Sequence, residues 1–173
     1  MMMNARTWLA MGSLLLLGGV AQAAPSTYQD PSGDDFGPGS YEYPTASEYT
    51  KGSFDLREVA IKNKGAKVEI KVTLGARIED PWDSKSWPGG GQGFSLQMVQ
   101  IYLDTDGKAD SGFTNALPGI NAKFAAEHAW DKVVLISPQP TSRIKTEIAA
   151  KAKAMAKSIV VPQKVIVRGK SLI

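Results

Sequence analysis

The stretch AKVEIKVTLG, residues 66–75, decides the fold class of this chain. Apolar residues occupy every second position from 68 to 74, and lysine, glutamate or threonine stands at each position between them. Because successive side chains of a strand point to opposite faces, this alternation predicts a half-buried antiparallel strand. The segment SFDLREVAI, residues 53–61, predicts a strand before it. Its apolar spacing slips by one between Leu56 and Val59, which indicates a β-bulge.

Segments further along the chain predict more short strands and two inserted helices. FSLQMVQIYLD, residues 94–104, is apolar at nearly every position from Met98, which predicts a central strand. Three further strands are predicted, at residues 133–136, at IVVP and at KVIVRG. Helices are expected over residues 122–131 and over residues 142–158, and the second has an amphipathic pattern. The sequence therefore predicts a mainly β fold, an antiparallel β-sandwich of immunoglobulin-like layers with one or two inserted helices.

The amino-terminal residues predict export. Arg6 supplies a positive charge, residues 9–20 an apolar core, and Ala21-Gln22-Ala23 a cleavage site of small residues. The apolar run is too short for a membrane anchor, because a spanning helix needs about 20 residues. We predict a signal peptide over residues 1–23, a secreted location (periplasmic or extracellular) and a sandwich domain over residues 24–173, without a transmembrane segment.

Composition excludes several classes of enzyme. The 173 residues include no cysteine and one histidine, His128, which rules out thiolate metal sites and Cys–His catalysis. No G-x-S-x-G nucleophile motif occurs, and a lone histidine in a predicted helix is a poor triad member. Hydrolysis of glycosides by a pair of carboxylates remains as a third, disfavoured function. Sequence spacing alone does not exclude it, because the two carboxylates need to be close only in the folded structure. The sequence predicts that the protein is not an enzyme.

Charge is divided between the two ends of the predicted domain. Residues 24–60 hold seven acidic and two basic residues, whereas from residue 141 onward eight lysines and arginines face only Glu147. Together with the predicted export, this division argues against nucleic acid as a partner and indicates two different surfaces. The basic segment 143–157 is a candidate contact with an anionic surface.

Two acidic loops are candidate calcium sites. Loop DPSGDDFGPGSYEYPT, residues 30–45, and loop DTDGKADSG, residues 104–112, provide the candidate metal ligands Asp30, Asp34, Asp35, Asp104, Asp106 and Asp110. Calcium takes six to eight oxygen ligands in flexible geometry, and loops of this composition supply them. Turn formation alone explains the same residues, because aspartate favours turns by bonding its own backbone. Calcium is thus a candidate cofactor and no cofactor is certain.

Aromatic residues in the loops are candidate sugar contacts. These are Trp82 and Trp87 in EDPWDSKSWPGGGQG, residues 79–93, and Tyr43 in the opening loop. The apolar face of a pyranose ring packs on an aromatic ring, while its hydroxyls bond to neighbouring polar groups. The alternative is that these rings cap the open ends of the sandwich, since tryptophan is usually largely buried.

The order of several motifs resembles that of a known family. The run DPSGDDFGPGSYEYPT is followed by GSFDL, PW, QIYLDTD, LPGINA and AW, and this series resembles the C-terminal domain of glucodextranases. That domain is a DOMON-like β-sandwich module of secreted amylolytic and surface proteins. Some DOMON-like domains bind haem, but the axial ligands would have to be His128 and a methionine such as Met98, which lie in separate predicted elements, so haem is not expected.

The resemblance implies a secreted, non-catalytic accessory module that binds a carbohydrate polymer, either an α-glucan or a cell-envelope glycan, beside a neighbouring catalytic domain or protein. The alternative is a cation-stabilised structural or cell-surface interaction module without sugar binding. Family members continue past a hairpin that resembles VVP and VRGKSLI, residues 160–162 and 167–173. We therefore expect further strands beyond KSLI, whose two apolar residues would otherwise be exposed, and a domain that is incomplete at its C-terminus.

Overall fold

The computed structural model describes residues 26–36 and 44–173. The predicted signal peptide and Tyr43 lie outside the described residues. Within the described part, no helix is long and apolar enough to cross a membrane.

Sheet A is antiparallel, and its strand order is β1-β2-β3-β8-β7. Its strands are β1 (Ser26–Gln29), β2 (Leu56–Lys64), β3 (Lys67–Leu74), β7 (Val167–Arg168) and β8 (Ser171–Leu172). β2 and β3 form a hairpin that turns at Gly65, whose φ of +66° favours glycine. The register shifts between Leu56 and Glu58, which confirms the predicted bulge.

Sheet B has three strands in the order β4-β5-β6. They are β4 (Val99–Leu103), β5 (Lys132–Ile136) and β6 (Ile159–Val160), and helix α1 (Thr141–Lys151) stands between β5 and β6. β4 and β5 are antiparallel, whereas β5 and β6 are parallel, which requires a long crossover such as the one that α1 provides. β4 lies at the edge of this sheet, so the prediction of a central strand was wrong.

The two sheets enclose one core, as expected for a sandwich. From sheet A, Val72, Leu74 and Leu172 face Val134 and Ile136 of sheet B. Leu172 is fully buried between its neighbours β3 and β7, so the expected exposure of this apolar residue was wrong. The alternation in β3 is confirmed only toward its C-terminal end, where Val72 and Leu74 are buried. Residues 62–69 of the hairpin project beyond the core, and Val68 is 59% exposed.

The opposite face of sheet B carries a second core. Trp130, Val133 and Leu117 are buried there, with the ring of Tyr102 packed 5.1 Å from that of Trp130. Along β4, Ile101 therefore packs toward sheet A while Tyr102 packs toward the second core. Burial on both faces, rather than a central position, explains why the sequence of β4 is apolar at nearly every residue.

The predicted helix over residues 122–131 is replaced by extended chain with one 3-10 turn, Ala126–His128. Phe113 and Trp130 exchange backbone hydrogen bonds of 2.8 and 2.9 Å, and Phe124 N–H donates to Thr114 O at 2.7 Å. Pairing with residues 113–115 thus outweighs the helical propensity of an alanine-rich segment. Trp130 is nevertheless a core residue, as predicted.

The amphipathic helix is confirmed, although it ends earlier than expected. α1 stops at Lys151 and is followed by a 3-10 turn, Lys153–Met155. Ile144 is buried and Ile148 half-buried on the face that the pattern predicted.

Candidate functional site

The loop of residues 79–93, which carries two of the candidate sugar-contacting residues, is organised around Ser84. The side chain of Ser84 is fully buried, and its Oγ donates to Asp80 Oδ2 at 2.8 Å while accepting the Gly93 N–H at 3.0 Å. A side chain at Gly91 would place Cβ 2.6 Å from Ser84 O, so the chain closes tightly over this centre. The loop therefore presents a defined surface.

Both tryptophans belong to that surface. Trp82 is 45% exposed, and its backbone carbonyl accepts the indole Nε1–H of Trp87 at 3.0 Å. This bond folds the half-buried Trp87 back onto the backbone of Trp82. The arrangement leaves the ring of Trp82 available to a ligand.

Two aromatic residues that the sequence did not indicate extend the surface from Trp82, one in contact with its ring and the second in contact with the first. Tyr49 stands edge-on to Trp82, with ring centroids 6.1 Å apart and planes at 90°, and its ring lies 5.6 Å from that of Phe54. Edge-to-face contacts of this kind stabilise ring positions. We call Tyr49, Phe54, Trp82 and Trp87 the aromatic surface. Phe54 belongs to the GSFDL motif, which is the one signal that could have pointed to it.

Three carboxylates converge at the other candidate region. Asp104, Asp106 and Asp131 each offer an oxygen, and these atoms all lie within 4.8 Å of one another. Asp131 accepts hydrogen bonds from Thr105 N–H at 2.8 Å and from its Oγ1 at 2.9 Å, and these bonds lower the pKa of Asp131. Such a group suits a hard cation such as calcium. Turn formation accounts for part of the same geometry, since Asp104 also accepts the Gly107 N–H at 2.8 Å.

Asp110 is not a member of this carboxylate group. Its backbone has a positive φ of 63°, and its N–H donates to Ala126 O at 3.2 Å. The third carboxylate of the group is Asp131, which directly precedes β5, and not Asp110 as the loop sequence indicated. No local pattern indicated Asp131, because it is distant along the chain from Asp104.

The aspartates of the opening loop are not brought together in the described residues. Asp30 continues the pairing of β1 with β2 through its N–H, which donates to Arg57 O at 3.0 Å. Asp34 is exposed, and the buried Oδ2 of Asp35 has no hydrogen-bond partner within the described part of the chain.

Comparison with known families agrees with the motif order. Residues 26–171 match the family described as the C-terminal binding module, SLH-like, of glucodextranase. The chain belongs to this family. No curated protein matches the chain. The glucodextranase C-terminal family is one of binding modules rather than catalytic domains, which supports the predicted accessory role.

Two of the sequence motifs on which the resemblance was based meet in space. Gly33 of the DPSGDD run donates its backbone N–H to Asp55 of GSFDL, and Arg57 Nη1 lies 3.4 Å from the same carboxylate. Asp55 itself is buried. The aspartate of GSFDL therefore anchors the opening loop of the binding module on sheet A.

Proposed function

We propose that this chain is a secreted, non-catalytic accessory module that binds a carbohydrate polymer, an α-glucan or a cell-surface glycan, through the aromatic surface. The observation that carries the proposal is the exposed ring of Trp82, held edge-on by Tyr49 in a member of a binding-module family. A ring that is both exposed and held in place suits sugar stacking, because little side-chain entropy is lost when the ligand arrives.

The order of the loop supports the same function. Ser84 and Asp80 fix the backbone on which Trp82 stands, so the ring is placed before the polymer binds. The half-buried Trp87 then serves mainly to support that backbone through its bond to Trp82 O, and it contributes less direct contact.

Affinity electrophoresis of the purified chain in gels containing starch, dextran or pullulan tests this function. Wild type should be retarded in at least one gel, and Trp82→Ala should weaken that binding about tenfold, as loss of a central aromatic contact does at other interfaces. Tyr28→Ala is a matched control, because Tyr28 is 62% exposed on β1 and outside the aromatic surface. Unretarded wild type in every gel, or an equal effect of Tyr28→Ala, would contradict the proposal. No reducing sugar should be released in the same assays.

A second candidate is a cell-surface interaction module that uses the exposed cations of α1. Arg143, Lys145 and Lys151 are exposed there, and the helix has one acidic residue, Glu147, which pairs with Lys151 at 2.6 Å. The excess of cations would attract an anionic envelope. Binding to envelope material that weakens with salt, ignores soluble sugars and is reduced by Lys145→Gln would favour this candidate over the first.

A further inference from the structure

A polar cleft of about 710 Å³ opens beside Asp55, and no residue of the aromatic surface lines it. Its lining comes from residues 32–33, 51–52 and 73–75 together with Asp55, Arg57 and Lys170, so it forms where the opening loop meets sheet A. This volume is in the range of small-molecule sites and is far more than one inorganic ion requires.

The one carboxylate in the cleft is already satisfied. Asp55 accepts the Gly33 N–H on both oxygens and lies 3.4 Å from Arg57 Nη1, and its side chain is 7% exposed. A ligand therefore gains little from Asp55 itself, whose negative charge is offset by Arg57 and by the backbone donor.

Two lysines in the lining add positive charge in excess of the single negative charge of Asp55, which Arg57 already offsets. Lys51 has no hydrogen-bonding or ionic partner among the described residues, and Lys170 Nζ donates to the carbonyl of Gly75 at 2.6 Å. The lining thus holds Lys51, Arg57 and Lys170 against one carboxylate. Cations gathered in a concave surface repel each other and raise the local potential, and a bound anion offsets both effects.

The rest of the lining is neutral and forms hydrogen bonds. Ser32 and Thr73 contribute hydroxyls, and the glycines at 33, 52 and 75 leave the backbone open to close approach. Hydroxyls beside cations suit a ligand that combines an acidic group with several alcohol groups. A simple fatty acid would find little apolar surface here, because Leu74 is the one large apolar residue in the lining.

We propose that this cleft binds the carboxylate-bearing sugars of an acidic polysaccharide, with Lys51 and Lys170 as the residues that contact the acid. The proposal rests on the proposed function in that the ligand is again a glycan, but it concerns a different surface and a charged class of polymer. A module with both sites would hold neutral sugars at Trp82 and acidic sugars at the cleft.

Affinity electrophoresis with polygalacturonate tests the cleft, and fully methyl-esterified pectin supplies the same backbone without charge. Wild type should be retarded by polygalacturonate and not by the ester, and retardation should weaken as salt rises. Lys51→Gln and Lys170→Gln should each weaken binding about threefold to tenfold, with the double variant weaker still. Lys51 is the decisive position, because its side chain has no hydrogen bond or ion pair among the described residues that folding could require.

Matched variants separate the two proposals. Lys67→Gln, at an exposed position of β3 that does not line the cleft, should leave polygalacturonate binding unchanged, whereas Lys51→Gln should leave any Trp82-dependent retardation by neutral glucans unchanged. Polygalacturonate binding that survives the Lys51 and Lys170 changes, or that Lys67→Gln weakens to the same extent, would overturn the assignment. Equal retardation by poly-glutamate would overturn the glycan part of it.

Discussion

The backbone N–H of Gly33 lies 3.2 Å from each carboxylate oxygen of Asp55. This contact joins the loop after β1 to the residue directly before β2, and the backbone N–H of Gly75 closes the same corner by donating to Asp55 O at 2.7 Å. A side chain at Gly75 would place Cβ 2.7 Å from Asp55 Oδ2. One buried aspartate thus determines the path of three segments.

Replacing Asp55 by asparagine should destabilise the fold. The amide keeps one acceptor oxygen and cannot balance the charge of Arg57, so we expect the free energy of unfolding to fall by about 1.5–3 kcal/mol, as for other buried bonds to charged groups. Urea unfolding followed by tryptophan fluorescence measures the change. Asp34→Asn, at an exposed position of the same loop, should change it by less than about 0.5 kcal/mol. Equal losses for the two variants would contradict the anchoring role.

The Ser84→Ala substitution should loosen the loop that carries both tryptophans. The variant leaves the Gly93 N–H and one oxygen of Asp80 without their present partner, and unsatisfied buried groups cost about 1–3 kcal/mol. We expect lower stability, altered tryptophan emission and weaker glucan retardation. Ser86→Ala, which removes an exposed bond to Asp83 O, should leave all three readouts close to wild type. An unchanged emission spectrum in Ser84→Ala would show that the loop does not depend on this centre.

Calcium binding is predicted at Asp104, Asp106 and Asp131. Added calcium should raise the melting temperature by several degrees, since a ligand at 100 times its Kd stabilises by about 2.7 kcal/mol. Asp131→Asn should abolish the shift, because Asp131 belongs to the group of three carboxylates. Asp110→Asn should preserve it, because Asp110 lies in the same loop as Asp104 and Asp106 but outside that group. A melting temperature of wild type that ignores both calcium and a chelator would contradict the prediction.

Sequence patterns predicted the features that depend on local periodicity. The alternation in residues 66–75 and the slip at Leu56 reflect side-chain direction along a single strand, so β3 and the bulge of β2 could be located without knowledge of their partners. The same reasoning failed for residues 122–131, where pairing with residues 113–115 outweighed a local preference for helix. It also misjudged β4, since burial on two faces and a central position produce the same apolar run.

The candidate sites depend on contacts between distant parts of the chain. Trp82 was recognised by residue type, but the approach of Tyr49 to its ring follows from packing that no local pattern encodes. Asp131 joins Asp104 because β5 pairs with β4 in antiparallel register, which brings the start of one strand to the end of the other. The order of the motifs was enough to recognise the family, whereas the side chains that come together at each candidate site could be identified only from the fold.

Glu58 should make the stability of sheet A depend on pH. Its carboxylate accepts the Gln29 Nε2–H at 2.9 Å and pairs with Lys71 Nζ at 3.1 Å, and these contacts lower the pKa of Glu58 below its ordinary value of 4.5. Because the folded state favours the ionised form, the stabilisation is complete above pH 4.5 and is lost as the pH falls through the lower pKa of the folded state.

Melting curves of Glu58→Gln and wild type across pH 7 to 3 measure this effect. The variant should melt a little below wild type at neutral pH, since solvent-accessible pairs contribute modestly, and the difference should shrink as the pH falls below 4.5. Glu69→Gln provides the control, because Glu69 is exposed on β3. A difference between Glu58→Gln and wild type that stays constant down to pH 3, or that Glu69→Gln reproduces, would show that the bridge from β1 through β2 to β3 does not stabilise the sheet.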